Sequence, residues 1–192
     1  VIVVTVQYRM SNSGWFRHAS LRQDNSSKED QSGNFGTLDN IMALKWINKN
    51  ILHFGGDRDN VTIYGESAGG HNVAAIYASP LADGLFHKAI VQSGILSHSS
   101  VKDAESYYPE SGISGIQSSK EIINRLMLND GTINTLHEGK DKQNSMNLKD
   151  LESYLRAKSP EELLVAYSDA RPKKGGMTRA CLLYTSPSPR DT

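Results

Sequence analysis

The 192-residue chain has one cysteine, no block of like charge, and no apolar run near the roughly 18 residues that a membrane-crossing helix needs. Each lack excludes something. Basic and acidic residues number 21 each, with 8 and 8 up to Leu96 and therefore 13 and 13 after it. That balance gives no reason to expect nucleic acid or an anionic membrane as partner. The single cysteine, Cys181, supports neither a disulfide framework nor thiol chemistry. It opens the tail Cys181-Leu-Leu-Tyr-Thr-Ser-Pro-Ser-Pro-Arg-Asp191, which resembles the translation of a transposase-type sequencing adapter. Residues 181–192 are therefore set apart from the fold. The chain does not begin with Met and opens inside a predicted strand, so sequence upstream of Val1 is expected.

What is present centres on Val61-Thr-Ile-Tyr-Gly-Glu-Ser-Ala-Gly-Gly70. The β-branched and aromatic run Val61–Tyr64 predicts a buried strand, and Asn72–Ala78 predicts a helix. Between them Gly65-Glu-Ser-Ala-Gly69 fits G-x-S-x-G, the pattern of a serine lifted out of a tight strand-to-helix turn. Such a turn strains the serine backbone by roughly 1–3 kcal/mol. Gly65 and Gly69 are expected to clear the space where strand and helix pass. The alternative is a Gly-rich turn with a capping serine.

Elsewhere, Val1–Val6 is a near-continuous apolar run that predicts a central strand covered on both faces. Residues 10–36 predict a long loop anchored by Trp15 and Phe16. Asn25-Ser-Ser27 and Asn60-Val-Thr62 are glycosylation sequons by pattern only. Leu38, Ile41, Leu44, Ile47 and Ile51 recur at helical spacing, which predicts an amphipathic helix stopped by Gly55-Gly56. Burying those side chains contributes about 1.5–3 kcal/mol each before entropy is counted. Ala89–Gln92 predicts a further buried strand, so the order strand, helix, strand, helix, strand implies an α/β architecture with a parallel sheet. After Leu96, residues 97–119 read as loop, helices are predicted over 120–128 and 148–157, and 129–147 read as a polar, mobile connection. A last helix starts at Ser159-Pro-Glu-Glu162, with the signature of a capping box.

Taken together, the motifs resemble the type-B carboxylesterases, the family of cholinesterases and bacterial para-nitrobenzyl esterases. The resemblance rests on Val4–Arg9, Gly33–Asn40, Ala43–Ile51, Phe54–Thr62, Gly65–Gly70 and Ala89–Gly94, in the family's order. It is dense over 1–96 and loose over 97–170, which makes residues 1–180 an incomplete α/β-hydrolase domain. It implies hydrolysis of a small-molecule carboxylic ester through an acyl-enzyme, with no metal or organic cofactor. Ser67 corresponds to the nucleophile, and the Ala68 N–H to an oxyanion donor. Glu66 corresponds to a carboxylate that biases the site electrostatically; its plainer role is a negative charge at a helix N-terminus. Ser93 corresponds to a serine that supports the triad acid, or else makes an ordinary strand-end hydrogen bond. Arg9 and Asp39 correspond to a structural ion pair. The triad acid and histidine are expected beyond residue 192, and the Gly-Gly part of the oxyanion hole before Val1.

The chain departs from the family where Tyr154-Leu-Arg156 stands for a Cys-Leu-Arg. A substitute base inside the chain is not expected: His71 lies one helical turn beyond Ser67 and reads as packing beside the pocket or the sheet, and His18 as a solvated loop residue or a lining one. No metal-ligand spacing is present; Asp57-Arg-Asp59 and Asp130-Gly131 lack the rest of a calcium loop. The rival reading, an inactive cholinesterase-like adhesion or binding module, is disfavoured by Ser67 with both flanking glycines.

Overall fold

The computed structural model describes residues 1–22, 26–96, 98–107 and 118–170. In chain order they form α1 (Ser11–Gly14), α2 (Lys28–Ser32), α3 (Phe35–Asn50), β1 (Thr62–Glu66), α4 (Ala68–Tyr77), β2 (Lys88–Gln92), α5 (Val101–Glu105), α6 (Ser119–Asn129), α7 (Leu136–Ser145), α8 (Leu148–Arg156) and α9 (Pro160–Asp169). They divide into two compact units. One holds the described residues of 1–9 and 35–97, the other those of 10–34 and from 98 on. Asn25 and the tail 181–192 lie outside the described residues.

The first unit is built on a β1–α4–β2 crossover. The two strands are parallel, with Thr62 opposite Lys88 and Glu66 opposite Gln92. A crossover helix is what a parallel pair requires, because the chain must return to the same end of the sheet. The helix predicted from apolar spacing is α3, continued by a 3₁₀ turn over Ile51–Phe54 and closed by Gly55 at φ +76°. Its buried stripe Ile41, Leu44, Ile47 and Ile51 packs with Ile63 of β1 and with Val73 and Ile76 of α4. Trp46 lies off that stripe and is exposed.

Three strand expectations fail here, the first at β1, where the run Val61–Tyr64 predicts a buried strand but Ile63 is its one buried residue and Tyr64 is exposed. Val1–Val6 is not a strand among the described residues, and Val1, Ile2, Val3 and Val4 are exposed. The run has the composition of a covered strand, but no neighbour in the described sheet pairs with it. β2 forms where predicted, yet all five of its residues are exposed rather than buried. An apolar run records what a strand can bury, and here nothing described covers it.

The second unit is helical. Ile122, Ile123, Leu126 and Met127 of α6 pack with Leu151 and Leu155 of α8 and Tyr167 of α9. Trp15 is buried, as an anchor should be. The segment 10–34 is less irregular than expected, since it contains α1, α2 and a 3₁₀ turn at Ala19–Leu21. The predicted loop 97–119 contains α5. The predicted mobile connection 129–147 contains α7, which buries Gly139 and Gln143 rather than an apolar stripe. At the start of α9 the Ser159 hydroxyl accepts from the Glu162 N–H at 3.2 Å, and Glu162 Oε2 accepts from the Ser159 N–H at 2.7 Å. The capping box is therefore present as the sequence signature implies.

Candidate active site

Ser67 joins the end of β1 to the start of α4 with φ +52° and ψ −115°, a backbone conformation that residues other than glycine seldom adopt. Its N–H donates to the Gln92 carbonyl at 2.9 Å, extending the parallel ladder by one step, and its carbonyl accepts from the His71 N–H at 3.0 Å to open the helix. The Ser67 side chain makes no capping bond. Ser27, Ser100, Ser118 and Ser159 all sit in extended backbone at helix starts, and their side chains all accept from the N–H three residues on. Ser67 is thus exposed, strained and not spent on a cap, which removes the capping-serine alternative.

The glycines divide the work differently from the expectation. A Cβ on Gly65 would lie 2.9 Å from the Gly69 Cα, with the Gly69 carbonyl group nearer still. A Cβ on Gly69 would meet nothing within 4 Å. Clearance is therefore demanded at Gly65, and Gly69 supplies backbone to be cleared. Sequence reasoning passed over a second close approach: a Cβ on Gly70 would lie 2.6 Å from the Gln92 carbonyl oxygen and 3.0 Å from the Gly94 Cα. The signal for it was present in Gly70 after the motif and Gly94 after a predicted strand.

Ala68 is the first residue of α4, so its N–H belongs to the turn that has no acceptor within the helix. Glu66 ends β1 opposite Gln92 and is exposed beside that helix start. Ser93 follows Gln92 as Ser67 follows Glu66, so the two serines leave neighbouring strands at the same level. Ser93, like Ser67, has a positive φ, +53°.

The Arg9–Asp39 pair forms as the motif comparison implies. Arg9 Nε donates to Asp39 Oδ2 at 2.8 Å and Nη2 to Oδ1 at 2.7 Å, while the Arg9 N–H adds a third bond at 2.9 Å. The side-chain hydrogen bond from Arg9 holds the Asp39 carboxyl below its ordinary range. The same bond raises Arg9, whose guanidinium also lies 5.0 Å from the Phe35 ring centre.

His71 projects from α4 to the segment after β2, with Nδ1 2.7 Å from the Ile95 carbonyl oxygen. His18 belongs to the second unit and is buried, not solvated. Its Nδ1 meets the Ser20 hydroxyl at 2.9 Å and accepts from the Ser20 N–H at 3.1 Å. Burial pushes its pKa down to about 4; Glu105 offsets part of this, and Lys120 and Arg22 add to it. Among the described residues no group of three or more His, Cys, Asp or Glu side chains is arranged to hold a metal ion. No described helix is long and apolar enough to cross a membrane.

Residues 1–184 match the sequence profile of the Carboxylesterase family. The chain belongs to that family. Among its relatives, a para-nitrobenzyl esterase of Bacillus subtilis (strain 168) is 43% identical over 137 residues, 71% of this chain and 24% of that protein. A medium-chain fatty acyl-CoA hydrolase precursor of Anas platyrhynchos is 51% identical over 94 residues, 49% of this chain and 15% of that protein. The solved structure of a PNB esterase superposes on 87% of this chain and 28% of its own, with a TM-score of 0.59 and 32% identity. The fold is accordingly that of an α/β-hydrolase, and the chain spans between 15% and 28% of the proteins just named.

Proposed function

We propose that the protein to which this chain belongs hydrolyses small carboxylic esters through an acyl-enzyme on Ser67. The observation that carries the reading is an exposed serine at φ +52°, between strand and helix, whose hydroxyl is not used as a cap. In the proposed reaction Ser67 Oγ attacks the ester carbonyl as a histidine takes its proton, the alcohol leaves, and water then releases the acid and restores the hydroxyl. The Ala68 N–H donates to the oxyanion; one such donor contributes about 10²–10³ in rate. Glu66 adds negative charge beside the histidine, and Ser93 supports the acid that orients it. Both partners are supplied by residues outside 1–192, so this chain alone is expected not to turn over esters.

A fluorophosphonate probe applied to the full-length protein tests the reading. Ser67 is expected to be the labelled residue, and Ser67→Ala to abolish both labelling and hydrolysis of a short p-nitrophenyl ester. Labelling at another serine, or unimpaired hydrolysis by Ser67→Ala, overturns it. Turnover by the 192-residue chain alone overturns the assignment of the missing partners.

A further inference from the structure

Three ties join the elbow to the strand beside it. The Ser67 N–H donates to the Gln92 carbonyl, the Gly70 backbone lies against Gln92 and Gly94, and His71 reaches Ile95. The first two depend on backbone alone. The third depends on one ring nitrogen, Nδ1, which lies 2.7 Å from the Ile95 carbonyl oxygen and 3.2 Å from the Ile95 nitrogen. When Nδ1 carries the proton it donates to the carbonyl; when Nε2 carries it, Nδ1 accepts from the Ile95 N–H. Either neutral tautomer therefore bonds to the same residue.

What lies between these ties is unusual. Ser67 and Ser93, at the ends of paired strands, both have positive φ. Residues held in such conformations persist only where their surroundings over-determine them. Among the described residues, the first position from Ser93 that an α4 side chain holds by a hydrogen bond is Ile95, two positions on. We propose that His71 is a positioning residue for the elbow. Its Nδ1 clasps the Ile95 backbone, holds the turn Ser93–Gly94 against the first turn of α4, and so fixes Ser67 and Ser93 relative to each other.

The inference rests on the nucleophilic reading of Ser67, and its test separates the two. Asparagine carries its amide on Cγ, the carbon to which Nδ1 is attached in histidine; glutamine carries it one carbon farther out, and leucine has none. In the full-length protein the fluorophosphonate labelling rate of His71→Asn is expected within about threefold of wild type, while His71→Gln and His71→Leu fall about tenfold or more, since misplacing a reacting group by about 1 Å costs up to about 10²-fold. The loss is expected in kcat rather than KM. Equal rates in wild type and His71→Leu overturn the proposal, as does a loss in His71→Asn as large as in His71→Leu. If circular dichroism shows His71→Leu unfolded, His71→Asn against His71→Gln decides, and equal rates overturn the clasp. Absence of labelling in wild type refutes the role of Ser67 instead. Amide exchange then tests the clasp through the Ser67 N–H, whose bond to the Gln92 carbonyl it should steady in either tautomer, and unchanged protection at both Ser67 and Ile95 in His71→Gln overturns it.

Discussion

Gly70 and Gly94 meet backbone to backbone: a Cβ on Gly94 would lie 2.6 Å from the Gly70 Cα and 2.7 Å from the His71 nitrogen. Neither neighbour is a flexible side chain that could swing away. Gly70→Ala is therefore expected to destabilise the protein by about 1–3 kcal/mol, as forced overpacking does. Gly69→Ala is expected to be neutral, or stabilising by up to about 1 kcal/mol, because a helical alanine is preferred over glycine and its Cβ enters open space. Denaturant midpoints of the two variants in the full-length protein check the contrast. Equal destabilisation would contradict it.

Asp130 gathers four donors from three residues, two of them the N–H and hydroxyl of Thr132. The Tyr154 hydroxyl donates at 2.7 Å and Lys158 Nζ at 2.5 Å to Oδ2, and Thr132 bonds to Oδ1. Burial raises the Asp130 carboxyl, but the hydrogen bonds from Lys158, Thr132 and Tyr154 outweigh it and hold the pKa near 2. Burial and the Asp130 carboxylate both push the Tyr154 hydroxyl up. A lowered folded-state pKa means that the stabilisation is complete above about pH 4 and is lost as pH falls toward 2. Because Asp130 lies at the solvent-exposed end of α6, solvent screens the cluster, and Asp130→Asn is expected to cost about 1 kcal/mol at neutral pH and to flatten this acid limb. Tyr154→Phe is expected to cost about 1 kcal/mol through one lost bond. Urea titrations between pH 2 and 7 read both.

His18 has the opposite chemistry but the same direction. It is neutral in the fold, with a pKa near 4 against about 6.5 when unfolded. Between those values the unfolded chain binds more protons, so stability falls as pH drops from about 6.5 to about 4, by up to about 3 kcal/mol. His18→Asn is expected to lose this slope over that window. A slope unchanged in the variant would assign the dependence to another group.

The Arg9–Asp39 pair is well aligned, but Arg9 is half exposed, so solvent screens it. Asp39→Asn is expected to cost about 1 kcal/mol or less. Because the Asp39 pKa is lowered, that contribution is present above about pH 4 and fades below it. A double-mutant cycle with Arg9→Met, read by thermal unfolding, gives the coupling.

Where local chemistry decides structure, the sequence was readable. The stripe of α3, the stop at Gly55, the capping box at Ser159 and the strand-to-helix turn at Ser67 all depend on residues within one or two turns of each other. What failed depends on distant neighbours. Val1–Val6 reads as a covered strand because composition reports capacity for burial, not the presence of a cover. His18 reads as a loop residue because its burial comes from packing elsewhere in its unit. Helix α7 escaped because it is held by Gly139 lying against Asn124 and by Gln143 Nε2 donating to Asn124 Oδ1 at 2.5 Å and to the Lys120 carbonyl. An apolar-periodicity search does not register such contacts. The family resemblance implies a supporting place for Ser93 near the site, but the positive φ that it shares with Ser67 is not legible in the sequence.

The full exposure of β2 has a practical consequence. Among the described residues, Lys88–Gln92 has a ladder partner on one side only, and Ile90 and Val91 stand open to solvent. Such a row of unanswered amides and carbonyls is a template for another chain. This strand is therefore expected to seed aggregation of the 192-residue chain, and Ile90→Lys or Val91→Lys to reduce it.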